Sequence, residues 1–206
     1  MAFKGWPAEA LEFYEGLTAD NSKTYWQANK STYDDVVLAP MKELLTELEP
    51  EFGPAKIFRP YRDVRFSKDK TPYKTQIAAS FERSGYIALS ADGLGVGSGM
   101  YHLESEQLAR YRDAVAADKT GEPLQKIVAD LIGQGIEVSA HDTLKIVPRG
   151  YNKDHPRNDL LRHKGLIGWR QFPVKPWLGT AKAKTKIVEF FHVMAPLNDW
   201  LAKNVL

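Results

Sequence analysis

Residues 59–74, RPYRDVRFSKDKTPYK, gather Arg59, Arg62, Arg65, Lys68, Lys70 and Lys74 around only two acids, Asp63 and Asp69. The planar fork of arginine donates two parallel hydrogen bonds to a phosphate or carboxylate, and lysines on a turn add positive potential beside it. If residues 61–67 form a strand, Asp63 and Arg65 share one face. Arg62 and Lys68 then lie on the other, at either end of the apolar pair Val64 and Phe66. Such a run suits the capture of an anion. An exposed strand edge guarded by paired charges has the same composition.

Residues 148–164, PRGYNKDHPRNDLLRHK, repeat the pattern with Arg149, Lys153, Arg157, Arg162 and Lys164 against Asp154 and Asp159, plus His155 and His163. The PRGY turn leads toward a helix expected to start near Asp154 to Pro156, where free N–H groups favour an anion. Leu160 and Leu161 would bury while Arg157 and Lys164 reach round the rim. The alternative is a capped amphipathic helix with surface charges, in which Asp159 and His163 form an ordinary pair.

Brought together by folding, the two stretches would make a pocket for an anionic small molecule bearing phosphate or carboxylate. Arg62, Arg65, Lys70, Tyr73 and Lys74 would line it from the first stretch, and Arg149, Tyr151, Arg157 and Lys164 from the second. An enzyme acting on such a substrate is a second reading. Asp63, Asp154 and His155 are its acid–base candidates, because histidine exchanges protons near neutrality and a carboxylate can orient it or act as base. A third reading, nucleic-acid or protein interaction, would use Tyr61, Phe66, Tyr73 and Tyr151 to stack bases between phosphate contacts. It ranks behind the others because the formal net charge is only +2 and no known nucleic-acid module is visible.

Other motifs point elsewhere. GLGVGSG, residues 93–99, lacks the G-x-G-x-x-G spacing of a dinucleotide site. Its alternating glycines would share one strand face, leaving room for a large aromatic such as Trp169. Asn29 falls on the aromatic stripe of a helix, where it needs a hydrogen-bond partner. His102 and Glu104 form a lone H-x-E, so no metal site is expected, and no P-loop or G-x-S-x-G motif is present. No cofactor is implied.

The elements that would position these residues follow from periodicity. Helices are expected after Pro7, from Asn21 or Ser22 (Trp26, Asn29, Tyr33, Val37), and from Pro40 (Met41, Leu44, Leu45, Leu48) to the Pro50–Pro54 stretch. Strands follow at 57–67, in TQIAASFE and in GYIALSA, with an Asp92-Gly93 turn. Two helices come next, ESEQLARYRDAVAAD and EPLQKIVADLIGQG. The strands IEVSA and TLKIVP, a strand or extended run through Trp169 and Phe172, and a C-terminal helix from Thr180, broken or bent near Pro196, complete the chain.

These elements predict a single α+β domain over residues 1–206, with a mostly antiparallel sheet and N-terminal, middle and C-terminal helices packed on it. With 43% hydrophobic and 26% charged residues the chain is globular in composition. The absence of cysteine excludes disulfides and thiolate chemistry. Glu9, Glu12 and Glu15 interrupt any signal-like apolar core, and no apolar run is long enough for a membrane span, so a soluble cytoplasmic protein is expected. Oligomeric state is left open.

RDVRFSKDKTPYK and PRGYNKDHPRNDLLRHK, with the N-terminal tryptophan helix, resemble the bacterial and fungal family of unknown function DUF2461 across essentially the whole chain. The resemblance marks Arg62, Asp63, Arg65, Phe66, Lys70, Pro72, Tyr73, Lys74, Pro148, Gly150, Tyr151, His155, Pro156, Leu161 and Lys164. It implies no established activity, cofactor or catalytic residue. Family members often carry an arginine soon after the lysine of the LK strand, whereas Ile146 and Val147 follow Lys145 here. The resemblance therefore implies one cation fewer than in those members.

Overall fold

The computed structural model describes residues 2–65, 68–82 and 85–206. Pro7 leads into α1 (Ala8–Ala19), whose Ala10, Phe13, Tyr14 and Leu17 recur at helical spacing and are buried. Ser22 caps α2 (Lys23–Ala28), its Oγ accepting from the Tyr25 N–H at 3.1 Å. Asn29 ends that helix and donates Nδ2 to the Tyr25 carbonyl at 2.9 Å, so its polar group is satisfied locally. A short turn, α3 (Lys30–Thr32), leads into a π-helical stretch, Tyr33–Leu38, in which Tyr33 and Val37 are buried. α4 (Ala39–Phe52) buries Met41, Leu44, Leu45 and Leu48 and stops at Gly53, which adopts a φ of +79° that favours glycine.

The strands are β1 (Ala55–Ile57), β2 (Gln76–Phe81), β3 (Gly85–Ser90), β4 (Gly93–Met100), β5 (Glu137–Ser139) and β6 (Leu166–Phe172). They form one six-stranded antiparallel sheet in the order β1-β2-β3-β4-β6-β5. Register is set by pairs such as Ile57 with Ala79, Ala79 with Ile87 and Val138 with Gly168. Middle helices α5 (Ser105–Ala116), α6 (Asp118–Gly133) and α7 (Asn158–Leu161) precede a 3-10 turn at Pro176–Gly179 and the C-terminal α8 (Lys182–Asn204). The fold is α+β, with N-terminal, middle and C-terminal helices packed on the sheet.

Four local expectations change. The strand expected at 57–67 ends at Ile57, and among the described residues the chain beyond it makes one isolated bridge, Tyr61 with Tyr73. Pro60 and Pro72 carry no N–H and interrupt any ladder there; Phe66 lies outside the described residues. TLKIVP is not a strand either: Thr143 bridges His163, and Ile146 is 78% exposed, so its alternation has no core to face. The helix expected near Asp154 is only α7, starting at Asn158. α8 continues through Pro196, with Met194, Leu197, Trp200 and Leu201 buried on either side of it.

The chain divides into two compact units, Met1–Val96 with Gln171–Glu189, and Gly97–Arg170 with Phe190–Leu206. The first is organised by aromatic contacts: Trp26 lies 4.9 Å from Tyr33 and 5.9 Å from Phe13, centroid to centroid. Burial, and secondarily its neighbour Asp34, pushes the Tyr33 phenol up to about 12. In the second unit the strand glycines make room for α8 and for an indole. A Cβ on Gly168 would lie 2.5 Å from Met194 Sδ, and one on Gly97 would lie 2.9 Å from Trp169 Cε3. Asn198 of α8 donates to Ser98 Oγ of β4 at 2.9 Å.

The glycine alternation therefore accommodates Trp169 at Gly97. At Gly99, where φ is +120°, it accommodates the Leu166 carbonyl, 2.3 Å from where a Cβ would stand. Gly97→Val is expected to lower unfolding free energy by about 1–3 kcal/mol in urea, the usual cost of overpacking a filled site.

Candidate anion-binding segment

Asn21 sits just ahead of the Ser22 cap, and its side-chain amide pairs with the backbone of Tyr73 like a neighbouring strand. Its Nδ2 donates to the Tyr73 carbonyl at 3.1 Å, and its Oδ1 accepts from the Tyr73 N–H at 3.0 Å. The Tyr73 ring stacks on Trp26 at 4.5 Å and 10°. Two backbone bonds close the loop beside it, Arg62 N–H to Pro72 O at 2.9 Å and Lys74 N–H to Pro60 O at 2.8 Å. Arg62 adds a bond from Nε to the Tyr73 carbonyl at 2.9 Å. Arg59, Arg62 and Lys74 are thus carried on two chain segments tied side by side.

Their electrostatics are uneven. Arg62 Nη1 donates to Asp69 at 2.6 Å, and Arg65 forms a two-point pair with Asp63 at 2.9 and 2.6 Å. Hydrogen bonds from Arg65 hold the Asp63 carboxyl below its usual range. Thr71 does the same for Asp69 through its backbone N–H and hydroxyl. Arg65 is 76% exposed, so its pair with Asp63 adds little stability in water. Lys70 donates Nζ to the Val64 carbonyl at 2.8 Å.

Lys74 differs from these. Its Nζ lies 5.5 Å from the centroid of the Phe58 ring, and it is half-buried. Burial and then the nearby charges of Arg59 and Arg62 push its pKa down. Among the described residues neither Arg59 nor Lys74 pairs with a carboxylate.

The second basic stretch belongs to the other unit and is built differently. Arg157 is a buried residue whose Nε donates to the Val115 carbonyl at 2.6 Å. Its Nη2 reaches the Ala116 carbonyl at 3.0 Å and Asp118 at 2.6 Å. It satisfies the unpaired carbonyls that end α5, where a cation is favoured. Only glycine fits at position 121 above it, because a Cβ there would stand 2.4 Å from Arg157 Nε. The expectation that Arg157 reaches round a rim is corrected: its guanidinium clamps the α5–α6 junction.

His155 joins the same clamp. Its Nδ1 accepts from the Arg157 N–H at 3.1 Å, which places the ring proton on Nε2, 3.2 Å from the Ala116 carbonyl. Both nitrogens are engaged with backbone groups. Tyr151 donates its hydroxyl to Asp113 at 2.8 Å, and burial with that carboxylate pushes the phenol up to about 12. Lys164 pairs with Asp142 at 2.6 Å, and Asp159 pairs with Arg162 rather than His163. Asp154 and Arg149 are exposed, and no hydrogen bond or ion pair joins Asp154 to His155 among the described residues.

Two features were missed by reading charge runs. Asn21 has a sequence cue only in standing one residue before a cap, with nothing to name its distant partner. The segment from Gln171 to Val188 was more legible, since it holds Lys175, Lys182, Lys184 and Lys186 and no acid. Lys184 pairs with Glu47 at 2.5 Å, while Lys186 lies 5.5 Å from the Trp177 ring centroid. A cleft of about 380 Å³ opens there, lined by Pro176, Trp177, Thr180, Ala181 and Lys182. Among the described residues no group of three or more histidine or acidic side chains could hold a metal ion, and no helix is long and apolar enough to cross a membrane.

Asn21→Ala removes both bonds to Tyr73 and is expected to cost about 1–3 kcal/mol, seen by urea unfolding together with altered Trp26 emission. Arg157→Lys keeps the charge but cannot reproduce the three-point clamp, so a loss of about 1–3 kcal/mol is expected in urea unfolding.

None of the curated proteins compared with the chain matches it. A conserved hypothetical protein from Pyrococcus furiosus is similar in structure at 12% identity, over 79% of this chain and 92% of that one, with a TM-score of 0.41. The family described as a conserved hypothetical protein, DUF2461, matches residues 9–200. Spanning nearly the whole sequence, that match shows that the chain belongs to the DUF2461 family.

Proposed function

We propose that the Arg59–Lys74 segment binds an anionic small molecule bearing phosphate or carboxylate. The observation that carries this reading is the closed loop in which Arg59, Arg62 and Lys74 are tied together while Arg59 and Lys74 lack a carboxylate partner among the described residues. Like charges repel, so such a cluster is relieved by a bound anion. The exposed ring of Tyr61 and the Phe58 ring beneath Lys74 offer apolar contact for the organic part of a ligand. We also infer a cytoplasmic setting, in keeping with the cysteine-free composition. Binding is preferred over acid–base catalysis because His155 has both ring nitrogens hydrogen-bonded within its own unit.

A thermal-shift screen of phosphorylated and carboxylated metabolites tests the reading. A ligand present at a hundredfold its dissociation constant is expected to stabilise by about 2.7 kcal/mol. Arg59→Ala and Lys74→Ala should each remove most of that shift. Shifts that survive both substitutions would sink the reading, and steeply salt-dependent binding of an oligonucleotide would transfer it to nucleic acid.

A further inference from the structure

Two arginines of the segment already hold carboxylates. Asp63 occupies Nε and Nη2 of Arg65 with both its oxygens, and Asp69 occupies Nη1 of Arg62. Each acid is also anchored to the backbone. Asp63 Oδ1 accepts from the Arg65 N–H at 3.2 Å, and Asp69 Oδ1 accepts from the N–H and hydroxyl of Thr71 at 2.9 and 2.7 Å. A group tethered in the same short loop acts at an effective concentration of about millimolar. At Arg65 or Arg62 an incoming monocarboxylate would need to displace an identical group held at that concentration, in a two-point geometry at Arg65. It gains nothing by the exchange.

A phosphate monoester meets a different balance. With Arg62 answered by Asp69 and Arg65 by Asp63, Arg59, Lys68, Lys70 and Lys74 have no ion pair among the described residues, and of these Arg59 lies near Lys74. Nη2 of Arg62 also has no hydrogen-bond acceptor among the described residues, because Nε and Nη1 make its bonds. Near neutrality a phosphate monoester carries about −1.5 to −2 charges and three acceptor oxygens on one centre. It can answer Arg59 and Lys74 together and take the Arg62 Nη2 donor without displacing either aspartate.

We propose that the ligand class is a phosphate monoester, and that Asp63 and Asp69 are built-in competitors that exclude monocarboxylates. This rests on the anion-binding reading above and adds a selectivity to it.

Phenyl phosphate and benzoate, which share a ring and differ in the anion, provide the test by calorimetric titration. At about pH 7.5 phenyl phosphate is expected to bind at least about tenfold tighter, and to weaken about tenfold near pH 5 as it becomes a monoanion. Asp63 and Asp69, held below the usual carboxylate range, remain ionised over that interval. The double variant Asp63→Asn/Asp69→Asn keeps an oxygen for each backbone bond but removes the competing charge. Benzoate is then expected to bind about fivefold tighter or more, a gain lost again on adding Arg65→Ala. In the unsubstituted protein, phenyl phosphate affinity should fall with Lys74→Ala and be nearly indifferent to Arg65→Ala.

Melting temperature monitors folding of each variant. Equal affinity for the two probes, or no gain for benzoate in the double variant, overturns the inference while leaving anion binding in place. Failure of both probes to bind the unsubstituted protein and the double variant removes both.

Discussion

Tyr73 has its backbone N–H and carbonyl both held by the side chain of Asn21, with Arg62 Nε as a further donor to the carbonyl. The two neutral bonds from Asn21, with the stack on Trp26, bear on the charged groups around them. Lys74 follows Tyr73 in the chain and is tied through its own N–H to Pro60, next to Arg59. Cations that repel one another can be gathered only where bonds indifferent to that repulsion fix the backbone carrying them. Four neutral hydrogen bonds of this kind surround the loop closure, each contributing about 0.5–1.5 kcal/mol, and the charge-assisted bond from Arg62 Nε adds to them. The depression of Lys74, by burial first and then by the charges of Arg59 and Arg62, is the electrostatic counterpart of that closure.

Similar composition leads to a different result in residues 148–164. There the cations meet helix ends and acids instead of one another. Arg157 finds the last carbonyls of α5, His155 shares one of them, and Lys164 finds Asp142. The Arg157 guanidinium, buried at a helix C-terminus, binds two carbonyl dipoles and one carboxylate. The requirement for Gly121 is the steric consequence, because the guanidinium lies where a side chain would otherwise project from α6.

Periodicity made the regular elements legible. The burial of Phe13, Tyr14 and Leu17, the Ser22 cap, the Met41–Leu48 stripe and the strands flanking the Asp92-Gly93 turn all follow from spacing and turn chemistry. The failures share a physical origin. Alternation at 61–65 and 143–147 resembles a half-buried strand, but a strand needs a partner with matching donors, which periodicity does not report. Prolines on both sides of the first loop leave only the Tyr61–Tyr73 bridge, and the second has an exposed Ile146. At the candidate site, composition identified the segment, while the identity of each cation's neighbour was a tertiary fact. Asn21 and Tyr73 are 52 residues apart, and Arg157 and Val115 are 42 apart.

The Lys175–Lys186 run completes the argument that charge density alone does not define a site. It contains no acid at all, yet Lys184 is answered by Glu47 from α4, and Lys186 lies over Trp177 and Phe172. Lysine reaches such partners through a flexible stem and binds as a point charge, so sequence neighbours can end in unlike surroundings. In the Arg59–Lys74 loop the forked guanidinium of Arg62 is instead fixed through Nε to a clasped carbonyl, which leaves its outer nitrogens aimed by the fold. A guanidinium held by a backbone carbonyl as well as by a carboxylate has its direction set by the fold, unlike a lysine over an aromatic ring.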